Sequence, residues 1–200
     1  MLVLVRHGEA TANAAGLLLG RSDVELTDNG RRQAATLGRE LGPVTALITS
    51  PLRRAADTAA ALGLAVRATA DGRWIEVDYG EFEGRPLGDV PAEVWRRWHA
   101  DPGFRPQGGE SLAEVGVRVR GACAELFAEQ GSGARSTEGD VVVVSHVSPI
   151  KAAVAWALGG DEALAWRLHL STGSITRIGW GATGPVLETF NEIPAVPTSR

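Results

Sequence analysis

The chain has 200 residues, a net charge of −4 and an isoelectric point near 5.6, a length that suits one domain with one core. The acidic balance and the lack of a basic stripe argue against nucleic acid as a partner. Cys123 is the single cysteine, which excludes an intrachain disulfide; it falls among apolar helix positions, where a small buried side chain is expected rather than a reactive thiol.

Taken in chain order, Leu2–Val5 is a continuous apolar run of the kind a strand buried on both faces requires. It stops at Arg6, without the basic segment and length of a signal peptide, and no stretch reaches the roughly 18 apolar residues of a membrane span. The expectation is a soluble, cytoplasmic protein. A helix is predicted from Thr27, as N-cap, to Leu41, stopped by Gly42-Pro43, and then a strand over Val44–Thr49. Ser50-Pro51 reads as cap and first residue of a helix ending near Leu62, with a short strand over Leu64–Ala68.

Residues 71–110 are irregular and rich in Gly, Pro and Trp, with a short helix predicted over Pro91–His99. Ser111–Glu114 has the form of a capping box and opens a long amphipathic helix carrying Leu112, Val115, Val119, Ala122, Cys123 and Leu126 on one face. A polar Gly/Ser loop over Gly131–Gly139 leads to a buried strand at Val141–Val144. Ser148-Pro149 is expected to open a helix to Leu158, strands are expected over Ser174–Trp180 and Val186–Phe190, and the tail from Pro194 to Arg200 is expected to fray. Alternating strands and helices imply an α/β three-layer sandwich, a mostly parallel sheet with helices on both faces, forming one domain over residues 1–193. Ligands of such sheets bind at the carboxyl ends of the strands.

Three strand ends carry related residues: Arg6-His7-Gly8-Glu9, Ser50-Pro51-Leu52-Arg53-Arg54 and Ser145-His146. A parallel sheet gathers these ends on one side. Arginines offer forked donors to a tetrahedral oxyanion, and histidine serves as nucleophile or proton carrier. The sequence has no HExxH zinc pattern and no GxxxxGK[ST] phosphate loop. Helical geometry turns Arg53 and Arg54 about 100° apart, so only one can face a pocket squarely. His99 and His169 have no motif around them and are read as structural or exposed. Trp95 and Trp98, one turn apart, are read as core packing, with a substrate wall as the alternative.

Arg6-His7-Gly8-Glu9 with Asn13 resembles the signature of the histidine phosphatase superfamily (phosphoglycerate-mutase-like, branch 1). The likeness continues through Gly20–Thr27 with Gly30, Ser50–Ala55, Glu76–Gly80 with Glu83-Gly84, Gly108–Ser111 and Val144–His146, in family order. Ser145–Lys151, with Val147 where glycine is common, resembles acid-phosphatase-type members, and α-ribazole phosphatases are among the likenesses. The resemblance implies that His7 attacks phosphorus and that Arg6, Arg54 and His146 hold the phosphoryl oxygens. Asn13 and the Val147 amide would add donors. Glu76 would protonate the leaving oxygen, and Arg21 would line the substrate mouth. Glu81 and Glu83 are read as solvated surface, and Arg53 as a solvent or rim residue. No metal and no cofactor are implied.

The implied activity is hydrolysis of small phosphate monoesters through phosphohistidine. A cofactor-dependent phosphoglycerate mutase is the alternative on the same machinery, and a non-catalytic binder of phosphorylated ligands is the alternative of another class. The substrate and the oligomeric state, a homodimer included, stay open at this stage.

Overall fold

The structure is a computed structural model that describes residues 1–131 and 139–195. The expected loop over residues 131–139 and the expected tail over 194–200 lie almost wholly outside the described residues. In chain order the elements are β1 (Leu2–Arg6), α1 (Thr11–Ala14), α2 (Asp28–Leu37), β2 (Val44–Thr49), α3 (Arg53–Ala61), β3 (Ala68–Ala70), α4 (Ala92–Ala100), α5 (Leu112–Gly131), β4 (Asp140–Ser145), α6 (Val147–Ala157), β5 (Ile175–Gly181) and β6 (Gly184–Glu192), with short 3₁₀ turns between them.

The six strands form one mixed sheet in the order β3-β2-β4-β1-β5-β6. β3, β2, β4 and β1 run parallel, while β5 is antiparallel to β1 and β6 to β5. The unbroken valine and leucine runs of β1 and β4 follow from their central place, where alternate side chains enter opposite cores. Leu2, Leu4, Val141 and Val143 pack against Val115, Val119 and Cys123 of α5 and Ile150 and Ala153 of α6. Val3, Val5, Val142 and Val144 pack against Leu37 of α2 and Ala55 and Ala59 of α3. Each fully buried valine or leucine of this kind contributes roughly 1.5–3 kcal/mol of transfer free energy. The two cores make the expected three layers.

Several boundaries differ from the sequence reading. α2 ends at Leu37, and the chain tightens into a 3₁₀ turn over Gly38–Glu40 before Leu41 becomes extended. α3 begins at Arg53 with Leu52 as N-cap; Ser50 Oγ accepts from the Leu52 amide at 3.3 Å but does not cap the helix. α6 likewise begins at Val147 with His146 as N-cap, which places Ser148 and Pro149 inside the first turn. That turn has no need of the missing proline N–H, since its amides lack intrahelical acceptors anyway. β3 lies at Ala68–Ala70 rather than Leu64–Ala68; its three residues are exposed at the sheet edge, so no apolar pattern marks them. The capping box before α5 is present in both directions: the Ser111 amide donates to Glu114 Oε2 at 2.9 Å and the Glu114 amide to Ser111 Oγ at 3.2 Å.

Candidate active site

The parallel register builds the site. Pairing runs from Leu2 with Val141 to Arg6 with Ser145, so His7 and His146 leave adjacent strands side by side. The His7 amide donates to the Ser145 carbonyl at 3.0 Å, and the Ser50 amide to the Val144 carbonyl at 2.9 Å, which brings the end of β2 to the same edge. The two imidazoles meet edge to face, with ring centroids 5.0 Å apart. His7, His146, Arg54 and Glu76 are all buried.

Both ring tautomers follow from the partners. His7 Nδ1 lies 2.7 Å from the Gly8 carbonyl, which can only accept, so Nδ1 carries the hydrogen and Nε2 the lone pair. Arg54 Nε–H donates toward that Nε2 at 3.3 Å and toward His146 Nδ1 at 3.2 Å. His146 Nδ1 is therefore an acceptor, and its Nε2–H donates to Ser50 Oγ at 2.7 Å. Burial pushes the His7 imidazole well below the usual histidine range, and the Arg6 and Arg54 charges push it further. Burial does the same to His146, with His7, Arg54 and Arg6 adding to it.

The arginines differ in how they are held. Arg54, fully buried, donates through its terminal nitrogens to the Ser22 carbonyl at 2.8 Å and the Gly20 carbonyl at 2.6 Å. Arg6 donates to the Leu170 carbonyl at 2.6 Å, while its buried Nε has no partner among the described residues. Arg53 is exposed, within 3.3 Å of Glu25 and 3.5 Å of Asp57.

Glu76 is gripped by backbone. Its Oε1 accepts from the amides of Val77 (2.8 Å) and Ser148 (3.1 Å), and its Oε2 from the amide of Val147 (3.1 Å). The latter two are free donors of the first turn of α6, where the helix dipole favours negative charge. The Val147 amide, expected to face phosphate, donates to Glu76 in the free protein. Asn13 turns its Oδ1 to the Ala10 amide at 3.0 Å, and its amide nitrogen has no partner among the described residues. Arg21 stands at the rim, with its Nε 3.5 Å from the Glu76 carbonyl, bonded to Glu110 at 3.1 Å and 3.5 Å from Asp78.

Other candidates lie apart from the chemistry. His99 is exposed against the ring of Trp166, with centroids 4.2 Å apart, and His169 is exposed beside Ser171. Cys123 is buried in the α5 core, its thiol pushed up to about 12 by burial. Trp98 packs edge-on to Tyr79 and Phe104 and also lines, with Tyr79 and Lys151, a small cavity of about 60 Å³ beside Val147. Among the described residues no group of three or more His, Cys, Asp and Glu side chains is placed to hold a metal ion, and no helix is long and apolar enough to cross a membrane.

Two contributors went unread in the sequence. Ser50, expected to cap a helix, is the partner of His146. Glu83, read as solvated surface, accepts four short contacts from the amides of Gly20, Arg21 and Ser22. Backbone donors leave no mark in a sequence; the only available signal was the place of Glu83 inside a family segment.

The chain matches the family model described as histidine phosphatase superfamily (branch 1) over residues 2–193. It is 35% identical over 184 residues to the bifunctional protein Rv2228c of Mycobacterium tuberculosis, covering 88% of this chain and 49% of that one. The chain thus spans about half the length of that relative. It is 35% identical over 204 residues to the probable phosphoglycerate mutase GpmB of Klebsiella pneumoniae, covering 95% of this chain and 92% of the other. Among solved structures, the mycobacterial glucosyl-3-phosphoglycerate phosphatase in complex with VO3 superposes with a TM-score of 0.81 at 32% identity, covering 95% of this chain and 98% of the other.

Proposed function

The chain belongs to the histidine phosphatase superfamily (branch 1), and from that premise we propose that it is a metal-independent phosphomonoesterase of small phosphate esters working through phosphohistidine on His7. The observation that carries the proposal is the state of His7. Its Nδ1–H is tied to the Gly8 carbonyl, and its Nε2 lone pair is buried between Arg54 and His146. A neutral, oriented imidazole beside the Arg6 and Arg54 guanidiniums is what in-line attack on a phosphoryl group requires.

In the proposed reaction the charge of the bound ester dianion favours the protonated form of Glu76 against the amides that favour its anion. His7 Nε2 attacks phosphorus, the P–O ester bond breaks, and the leaving oxygen takes that proton from Glu76. The Glu76 carboxylate then accepts a proton from water as that water attacks the phosphohistidine, the N–P bond breaks, and inorganic phosphate leaves with His7 again neutral. Arg6, with an unpartnered buried Nε, Arg54 and the Asn13 amide nitrogen bind the phosphoryl oxygens, and His146, an acceptor at Nδ1 in the free protein, joins them by taking up a proton there as the dianion binds. Arg21 borders the leaving group. The protein names glucosyl-3-phosphoglycerate phosphatase and phosphoglycerate mutase both point to small phosphorylated metabolites, and the likeness to GpmB keeps the mutase as a second reading. A mutase must shield phosphohistidine from water.

Phosphate release from p-nitrophenyl phosphate in EDTA, wild type beside His7→Ala, tests the proposal. Release by the wild type alone is expected. Equal release by His7→Ala would overturn the mechanism. Release by neither would move the assignment to a mutase, checked with 3-phosphoglycerate and 2,3-bisphosphoglycerate, or to a non-catalytic binder.

A further inference from the structure

We infer that Glu83 is a positioning residue for Arg54, acting through the backbone of Gly20–Ser22 and touching neither substrate nor the histidines. The inference rests on the proposed role of Arg54 in binding the phosphoryl group.

Glu83 follows the 3₁₀ turn over Gly80–Phe82, and its carboxylate faces a segment some sixty residues earlier in the chain. Oε1 accepts from the amides of Gly20 (2.9 Å) and Ser22 (3.1 Å), and Oε2 from those of Gly20 (3.0 Å) and Arg21 (3.3 Å). In a trans peptide the N–H and the preceding C=O point in opposite directions. Drawing the Arg21 N–H onto Glu83 therefore turns the Gly20 carbonyl away from Glu83, to where Arg54 Nη2 meets it at 2.6 Å. The Ser22 carbonyl takes Arg54 Nη1 at 2.8 Å. With both terminal nitrogens fixed, Nε has one position, between His7 and His146.

The fit leaves little slack. A Cβ on Gly20 would stand 2.4 Å from Glu83 Oε2 and 2.6 Å from the Val77 carbonyl, so only glycine lets the segment close on the carboxylate. Burial works against the Arg54 guanidinium and lowers its pKa, and the charges of Glu76, Glu83 and Asp23 oppose that only in part, so position rather than charge is what Glu83 chiefly supplies. Nearby backbone pairs, Leu18 with Arg85 and Gly84 with Leu18, tie the two segments together without the Glu83 side chain. Removing the carboxylate should therefore loosen the position of Arg54 rather than unfold the region.

A double-mutant cycle separates this role from simple loop anchoring. Glu83→Gln keeps the size and halves the acceptors; Gly20→Ala disturbs the same contact from the other side. Each is made in the wild type and in Arg54→Lys, with kcat/KM on p-nitrophenyl phosphate and vanadate affinity by thermal shift as readouts. Glu83→Gln and Gly20→Ala should each lower kcat/KM by about 10- to 100-fold, the cost of a small misplacement in a site of this kind, and weaken vanadate binding in parallel. In Arg54→Lys the same changes should cost less than about twofold, because the fork they position is gone.

Equal losses in both backgrounds, or a Glu83→Gln enzyme within about twofold of the wild type, would overturn the inference. Vanadate binding needs no turnover, so the cycle can be read even on a protein that releases no phosphate. Absence of turnover in the wild type would count against the phosphatase reading, while an additive cycle would count against Glu83.

Discussion

His7 and His146 stand edge to face and share a single donor, the Nε–H of Arg54, which lies 3.3 Å from one ring and 3.2 Å from the other. Neither ring can hold a proton at the nitrogen facing Arg54 without losing that bond and meeting a cation instead. In the free protein the arrangement therefore holds both histidines in the neutral state.

The tie has a consequence for stability against pH. Both folded-state pKa values are depressed below the ordinary 6.5, by burial first and neighbouring cations after. Above 6.5 neither state binds the protons and the histidines make no difference. Below 6.5 the unfolded chain takes them up and the folded chain does not, so stability falls with falling pH until the folded pKa values are reached. The slope is about 1.4 kcal/mol per pH unit for each fully discriminating histidine. Denaturant titrations between pH 7 and pH 5 should show this loss, and His146→Gln should flatten it. A wild-type profile no steeper than that of the variant would mean the rings are not held neutral. The acid limb of kcat/KM should for the same reason lie below the ordinary histidine range.

Glu76 gives a prediction about leaving groups. Three amides hold its carboxyl group, so Glu76→Gln must set an amide NH2 among donors or rotate it away. An absolute rate would mix that disturbance with the lost proton, but a comparison of esters does not. Alkyl phosphates, whose alkoxide needs the proton, should lose about 10²- to 10⁴-fold in kcat, the usual worth of general acid catalysis. p-Nitrophenyl phosphate, whose leaving group departs as an anion, should lose far less. Equal loss on both would remove Glu76 from the proton-donor role.

How far the sequence could be read is clearest at these same residues. Continuous apolar runs marked β1 and β4 because a central parallel strand is buried on both faces, and the parallel arrangement then put Arg6, His7, Ser50 and His146 on one edge. The helix starts were misread for a physical reason. Ser-Pro is a cap signature only if the helix begins at once, and here Ser50 Oγ accepts from both the Leu52 amide and His146 while α3 starts only at Arg53, behind Leu52. Ser148 is displaced because His146 already ends its strand in the extended conformation an N-cap needs. Glu83 was illegible because its partners are main-chain amides, identical at every position, brought near by tertiary structure. At Val147 the helix-start rule gives a donor but not which anion takes it, and in the free protein Glu76 does.

A final prediction concerns the floor beneath His7. Gly8 and Gly30 press backbone against backbone: a Cβ on Gly8 would lie 2.3 Å from the Gly30 carbonyl oxygen, and one on Gly30 would lie 2.1 Å from the Glu9 carbonyl oxygen. Gly30 sits in the first turn of α2, its amide bonded to Thr27 Oγ1 at 3.0 Å. There alanine would ordinarily gain up to about 1 kcal/mol in helix propensity. That gain is outweighed, because the atoms in the way are backbone and cannot rotate aside. Gly30→Ala should cost about 1–3 kcal/mol overall, as overpacking does. It should also shift Gly8, whose carbonyl fixes the His7 tautomer, so kcat should fall even at temperatures where the variant is fully folded. Gly42→Ala is the control, since nothing lies within 4 Å of its added methyl; it should stay within about 0.5 kcal/mol of the wild type. If Gly30→Ala matched that control in both melting temperature and kcat, the close contact would not be what holds His7 in place.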